Sequence, residues 1–267
     1  MKISIDGRSA YAYTGSRSFD SARPTVAFAH GAQNDHSVWM LQSRYLAHHG
    51  WNVLAWDLPG HGRSEGPALS SIEAMADWLV RACAAAGAAR SVLVGHSMGS
   101  LIALHAGGAH PQAVMGVALV GTAFPMKVSD ALLQAARDDE PKAMAMINQW
   151  SFSGVTHRRP NPGFSVFHQN RRLMQRQPPG VLLNDFNACN AYTDGLQAAG
   201  RLQCPALLVL GGADQMTPPR AARALQQAIK NAQTLTLPGV GHGLMYEDPQ
   251  GVQQALAAFL KDLAARP

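Results

Sequence analysis

Ser97, Asp214 and His242 are the residues of this chain whose types and settings could together do chemistry. A serine hydroxyl is a weak nucleophile near neutral pH. It becomes reactive when an imidazole takes its proton, and the imidazole in turn needs a carboxylate to fix its tautomer and stabilise its cation. Ser97 stands in "GHSMG", a G-x-S-x-G pattern between the apolar run Val92, Leu93, Val94 and the helical spacing of Leu101, Ile102, Leu104 and His105. Glycines at 95 and 99 suit a sharp strand-to-helix turn, which would push the hydroxyl out at the carboxyl edge of a sheet. The plainer alternative is that Ser97 only caps the helix that follows. Asp214, in "LVLGGADQMTPP", directly follows a buried apolar run, and His242, in "LPGVGHGLMYEDP", lies in a glycine-flanked loop after the last strand-like segment. Both come out on the edge where open parallel sheets bind ligands. Asp130, beyond the segment 114–121, is the rival carboxylate.

The elements that must position these groups are legible in the hydrophobic pattern. Ile3, Ile5, Tyr11 and Tyr13 alternate across Asp6-Gly7, which predicts an antiparallel strand pair with a tight turn. Apolar runs predict strands at 25–30, 52–57, 114–121, 206–212 and 232–237, besides the one that leads into Ser97. Helices are expected from near Ser37 to Gly50, from the capping-box spacing Ser70-Ser71-Ile72-Glu73 to Gly87, from Thr217-Pro218 to Lys230, and from Asp248-Pro249 onward. The pattern breaks between 122 and 201, where helical stretches at 129–137 and 141–150 alternate with the breakers "RRPNPG" and "RQPPG" and no strand signal appears. The reading is an α/β fold of mostly parallel strands, with a core over 1–121 and 202–267 and a helical insertion over 122–201.

Composition narrows the function classes. The chain has 267 residues and a formal charge of +5, yet only 15% of it is charged. Basic residues are scattered apart from Arg158-Arg159 and Arg171-Arg172 with Arg176, and no basic helix interleaved with aromatics argues for nucleic acid. Cys83, Cys189 and Cys204 have no metal-like or C-x-x-C spacing, so no disulfide framework is expected. The histidines show no ligand spacing either; His48-His49 lies at a helix end. The start lacks the apolar core of a signal peptide and no stretch approaches a membrane span, so a cytoplasmic protein without membrane partners is expected.

The chain order Ser97, Asp214, His242 resembles that of the α/β-hydrolase superfamily. So do "HGAQNDHSVW", "DLPGHGRS", "GHSMG", "GGADQMTP" and "GHGLMYEDP", which fall in register along almost the full length. The resemblance implies an eight-stranded, mostly parallel sheet flanked by helices, with 122–201 as a cap over the site. It assigns the oxyanion hole to the backbone N–H groups of Ala32 and Met98, and no metal or cofactor. Pocket neighbours are expected from Trp39, Leu244 and Met245 beside the motifs, and from Trp150, Phe152 and Phe186 among the cap aromatics, which also include Phe164 and Phe167. His30, His61, His96 and Asp57 are read as structural parts of their loops, and the cap arginines as a solvated face.

A serine at the elbow sets the chain apart from superfamily branches that use aspartate or cysteine there. What the resemblance implies is a hydrolase of a small carboxylic ester or lactone, acting through an acyl-enzyme. The alternative is a C–C bond hydrolase of vinylogous diketones, although those enzymes commonly carry Asn before the serine and Trp after the histidine, where this chain has His96 and Gly243. A non-catalytic ligand-binding protein on the same fold is the third reading. The expected partner is a small-molecule substrate, and self-association into a homo-oligomer is left open.

Overall fold

A computed structural model of the chain describes residues 1–154, 165–230 and 232–265. Eight strands form one sheet in the order β1-β2-β4-β3-β5-β6-β7-β8. They are β1 Lys2–Ile5, β2 Arg8–Tyr13, β3 Thr25–Ala29, β4 Asn52–Trp56, β5 Ser91–His96, β6 Val114–Val120, β7 Ala206–Gly211 and β8 Gln233–Leu237. The β1–β2 and β2–β4 pairs are antiparallel, and every pair from β4 across to β8 is parallel. The order doubles back at β3, so the loops after β3 and β5 emerge side by side, the kind of crevice in which doubly wound sheets hold ligands.

Strands buried on both faces need two apolar layers, and alternate residues supply them. Leu93 of β5 and Leu119 of β6 face helices α2 Ile72–Ala85 and α3 Met98–Ala109, packing with Met75, Leu79, Leu101 and Ile102. Val92, Val94 and Val120 face the opposite layer of α1 Met40–Ala47 and the C-terminal helix, with Leu46, Leu256, Phe259 and Leu260. Between β6 and β7 run α4 Asp130–Asp138, α5 Glu140–Ser151, α6 Val166–Met174, α7 Val181–Ala191 and α8 Gly195–Arg201, with no strand among the described residues. Residues of α4 to α7, among them Leu132, Met144, Met174 and Phe186, share a cluster of their own, whereas Ala198 and Ala199 of α8 belong to the α2–α3 layer. After β7 come α9 Arg223–Ala228, α10 Leu244–Glu247 and α11 Pro249–Ala264.

Two boundaries differ from the sequence reading for local reasons. The α2 cap is Ser71, whose side chain accepts from the Ala74 N–H, one residue beyond the Ser70–Glu73 box. The helix expected from Thr217-Pro218 starts instead at Pro219, as a 3-10 turn over Pro219–Ala222 that leads into the six residues of α9. A residue that precedes proline is driven out of the α region, and Pro218 accordingly stays extended at ψ 148°. Among the described residues, no helix is long and apolar enough to cross a membrane.

Candidate active site

The turn from β5 into α3 holds Ser97 at φ 53°, ψ −120°. A left-handed φ on a residue with a Cβ costs about 1–3 kcal/mol, so the surroundings must enforce it. They do so by crowding and by hydrogen bonds. A Cβ at Gly95 would run into the Gly99 carbonyl, and one at Gly99 into the Ala29 carbonyl. Ser97 N–H donates to the Val120 carbonyl at 3.0 Å, and the Ser97 carbonyl accepts from Ser100 Oγ at 2.6 Å. Ser97 makes no side-chain cap to α3, so the capping alternative is not what the turn uses.

The loop after β7 carries Asp214, and the loop after β8 carries His242. Their hydrogen bond, His242 Nδ1 to Asp214 Oδ2, is 2.8 Å long, and the Asp214 side chain is fully buried. The N–H groups of Met216 and Thr217 both donate to Asp214 Oδ1 at 2.8 Å, and Thr217 Oγ1 donates to Oδ2 at 2.7 Å. Burial alone would raise the Asp214 carboxyl, but the His242 charge and these donors outweigh it and hold the pKa at about 2. Thr217 Oγ1 also lies 3.1 Å from His242 Nδ1. His242 Nε2 has no partner among the described residues, and it borders a cavity that Ser97 also lines. Asp130 is an exposed residue at the start of α4, with no bond to a histidine among the described residues.

The remaining histidines near this edge are held in the turns. His30 donates from Nδ1 to the Gly31 carbonyl at 2.8 Å and accepts the Leu58 N–H at Nε2, 3.2 Å away. Burial, then the charge of His61, push its pKa down to about 4. His61 sits between the Pro59 carbonyl at Nδ1, 3.1 Å, and Asp185 Oδ2 at Nε2, 2.9 Å. Burial opposes the His61 charge, but Asp185 and the carbonyl outweigh it and raise the pKa. Asp57 accepts from the His36 N–H and Nδ1, both at 2.7 Å, and organises its own loop.

The cavity at Ser97 is narrow, about 50 Å³. Of the expected pocket residues, Phe152, Phe186 and Met245 line it, and so does Ala32. Trp150 lines a neighbouring chamber of about 180 Å³ that shares Ser97, Phe186 and Met216 with the first. Trp39 and Leu244 do not line the cavity: both are fully buried in the α1–α11 layer. Trp39 donates Nε1 to the Ala29 carbonyl at 3.2 Å and packs its ring on Phe28, so the large apolar group serves the core behind His96. Met98 is buried too, and its N–H begins α3 beside Ser97, one of the orphan donors at a helix start. Among the described residues, neither the Ala32 nor the Met98 N–H has a protein acceptor. Phe164, Arg158 and Arg159 lie outside the described residues.

Sequence reasoning missed Asn34, Ile147, Asn170, Met174, Met216 and Tyr246 on the cavity wall. Asn34 and Met216 stand two residues beyond Ala32 and Asp214, so loop adjacency could have found them. Ile147 comes from α5 and Asn170 and Met174 from α6, and only the docking of these helices places them. It missed Asp185 as well. Besides His61, Asp185 Oδ2 accepts the Gln33 N–H at 2.9 Å and so pins the loop after β3 to α7. Leu182, Asp185, Phe186 and Cys189 share one buried helix face, and a carboxylate at such a core position is a readable signal.

The sequence profile of the alpha/beta hydrolase fold family matches residues 24–249. The chain belongs to this family. A pimeloyl-[acyl-carrier protein] methyl ester esterase of Neisseria meningitidis serogroup C is 30% identical over 262 residues, 92% of this chain and 95% of that protein. A protein of the same name from Chromobacterium violaceum is 28% identical over 249 residues, 90% of this chain and 96% of its own length. Among solved structures, the enol-lactonase from Burkholderia xenovorans LB400 superposes with a TM-score of 0.86 over 98% of this alpha/beta hydrolase and all of that chain, at 23% identity.

Proposed function

We propose that this alpha/beta hydrolase cleaves a small carboxylic ester or lactone through an acyl-enzyme, with Ser97 as nucleophile, His242 as general base and acid, and Asp214 orienting and stabilising the imidazole. The observation that carries the reading is His242 itself: Nδ1 is tied to Asp214, while Nε2 is unpartnered among the described residues on the cavity that Ser97 lines. The names of the Neisseria and Chromobacterium relatives, both esterases, support ester chemistry.

In this mechanism the Ser97 Oγ–H proton passes to His242 Nε2 as Oγ bonds to the substrate carbonyl carbon. The carbonyl oxygen becomes an oxyanion, received by the N–H groups of Ala32 and Met98; one such donor is worth ~10²–10³ in rate. Collapse re-forms the carbonyl and breaks the C–O bond to the alcohol, which leaves with the proton from Nε2. Water then gives a proton to Nε2 while its oxygen attacks the acyl carbon, and the second collapse returns the acid and the Ser97 hydroxyl. In a lactone the alcohol stays tethered and the steps are the same.

A fluorophosphonate should label Ser97 in folded protein, followed by turnover of esters or lactones in a panel that also holds vinylogous diketones. A label mapped elsewhere overturns the nucleophile, and turnover of the diketones alone overturns the ester reading.

A further inference from the structure

Two residues on the wall of the Ser97 cavity, Asn34 and His96, each hold a buried acceptor that no donor meets among the described residues. The Asn34 side chain donates Nδ2 to the Ala32 carbonyl at 3.2 Å, which fixes the amide's orientation, because a carbonyl only accepts. Its Oδ1 is buried with no hydrogen-bond partner among the described residues. The second acceptor is on His96, a residue 5% exposed. His96 Nε2 lies 2.9 Å from the His242 carbonyl, so Nε2 carries the proton. Burial, then the charge of His242, depress the His96 pKa to about 3, so the ring is neutral and Nδ1 presents a lone pair. Nδ1 too is buried and unpartnered, facing Gly31, where a Cβ would approach it to 3.1 Å.

Both residues line the same small cavity as Ser97 and Ala32. Asn34 rides on the turn that offers the Ala32 N–H, closed by the Asn34 N–H to the Gly31 carbonyl at 3.3 Å. A carbonyl oxygen held by Ala32 therefore brings the substrate's carbonyl group close to Asn34. Among the described residues no Asp, Glu, Lys or Arg lines this space, so none of them would balance a charged substituent there. Buried acceptors without donors on a cavity wall call for donors from whatever fills the cavity.

We infer that the acyl half of the substrate carries an uncharged hydrogen-bond donor, a hydroxyl or an N–H close to the carbonyl, which Asn34 Oδ1 accepts in the Ser97 cavity. The inference rests on the ester-hydrolase reading above and names the substrate class within it. α-Hydroxy esters and acyl groups bearing an amide or carbamate N–H have this chemistry; simple alkanoates and acyl groups with a terminal carboxylate do not.

The test uses three p-nitrophenyl esters with one leaving group: glycolate, methoxyacetate and butyrate. Glycolate and methoxyacetate share an electron-withdrawing oxygen, but only glycolate can donate, and each rate is divided by its own hydroxide-catalysed rate. Wild-type protein should favour glycolate over methoxyacetate by about 10- to 100-fold in kcat/KM, the size of one buried hydrogen bond lost. Asn34→Leu should bring that ratio to near one, and Asn34→Asp, which keeps an acceptor, should retain a preference. If Asn34→Leu does not fold, the wild-type ratio and the Asp variant still decide. A wild-type ratio near one overturns the inference while leaving the esterase reading intact, and so does a preference that survives in folded Asn34→Leu. Failure to hydrolyse any of the three, with no fluorophosphonate label on Ser97, overturns the esterase reading and this inference together.

Discussion

Two buried carboxylate–imidazole pairs stand near the same edge of the sheet, Asp214–His242 at 2.8 Å and Asp185–His61 at 2.9 Å. Distance does not tell them apart. What differs is the second nitrogen of each ring. His61 meets the Pro59 carbonyl at Nδ1 and Asp185 at Nε2, so both nitrogens face acceptors, which favours the protonated ring and raises its pKa against burial. Among the described residues His242 meets an acceptor only at Nδ1, and its Nε2 opens on the Ser97 cavity. A pair whose hydrogen bonds are complete on both sides has no site from which to take a proton; it fastens α7 to the loops after β3 and β4. A pair left open on one side can serve as a base. The neighbouring His30 stays neutral because it is buried and, second, because the His61 ring stands 4.8 Å away.

The comparison breaks if the two pairs respond alike to deletion. His242→Ala should lower kcat by ~10⁴–10⁶, because nucleophile and base act as one unit. His61→Ala should instead strike stability, by about 3–5 kcal/mol, as expected when a buried charge loses its partner. Rapid-mixing kinetics and urea unfolding on the same preparations separate the two outcomes. The carboxylates sharpen the contrast. Asp214→Asn should keep the fold and lose about 10⁴ in kcat, since an amide cannot stabilise the imidazolium and favours the wrong tautomer. Asp130→Asn, on an exposed helix start, should be close to neutral in both measurements. A reversal of that ranking transfers the orienting role to Asp130.

How far these pairs could be read from the sequence follows from how local their causes are. The strand-elbow-helix turn, the apolar strands and the placement of Asp214 and His242 after β7 and β8 depend on neighbouring residues, and the pattern shows them. Asp185 lies 124 residues from His61, and its role exists only once α7 docks on the core. Trp39 and Leu244 show the reverse error. Proximity in sequence to a motif suggested pocket walls, but a large apolar group beside a motif can equally turn inward, and burial in the α1–α11 layer claimed both. The double proline at 218–219 is a local signal read one residue early.

The pairs should also part company in pH. Asp214 has a folded pKa of about 2 against an ordinary 3.8, which corresponds to about 2 kcal/mol of stability. Because the folded value is the lower one, that stability is present above pH 3.8 and is lost as pH falls towards 2. His61 is shifted upward from 6.5, so its contribution is complete below that pH and fades as pH rises through the folded value. Urea midpoints across pH should therefore show the gap between wild type and Asp214→Asn closing in acid, and the gap to His61→Gln narrowing in alkali. Parallel curves for the two variants would mean that the pairs do not differ electrostatically.

The smallest effect is expected where charge is most conspicuous. Arg171 and Arg172 are exposed on α6, Arg172 and Arg176 line an outer groove, and none of the three reaches the Ser97 cavity. Arg176 is already engaged, with its Nη2 2.9 Å from Asp35 Oδ2 at the seam between α6 and the loop after β3. Only the Arg176 end of that pair is exposed, Asp35 being buried, and solvated guanidinium groups outside the cavity have no carbonyl or oxyanion to touch. Arg171→Ala, Arg172→Ala and Arg176→Ala should each leave kcat/KM for a neutral short-chain ester within a few-fold of wild type. Matched esters with and without a terminal carboxylate give the sharper measurement, because an anion site would show as a preference for the charged member. The expected order is neutral ester first, in all four proteins. A strong preference for the anionic ester, abolished by one of these substitutions, would place substrate recognition on the arginine face rather than at the open nitrogen of His242 and the cavity around it.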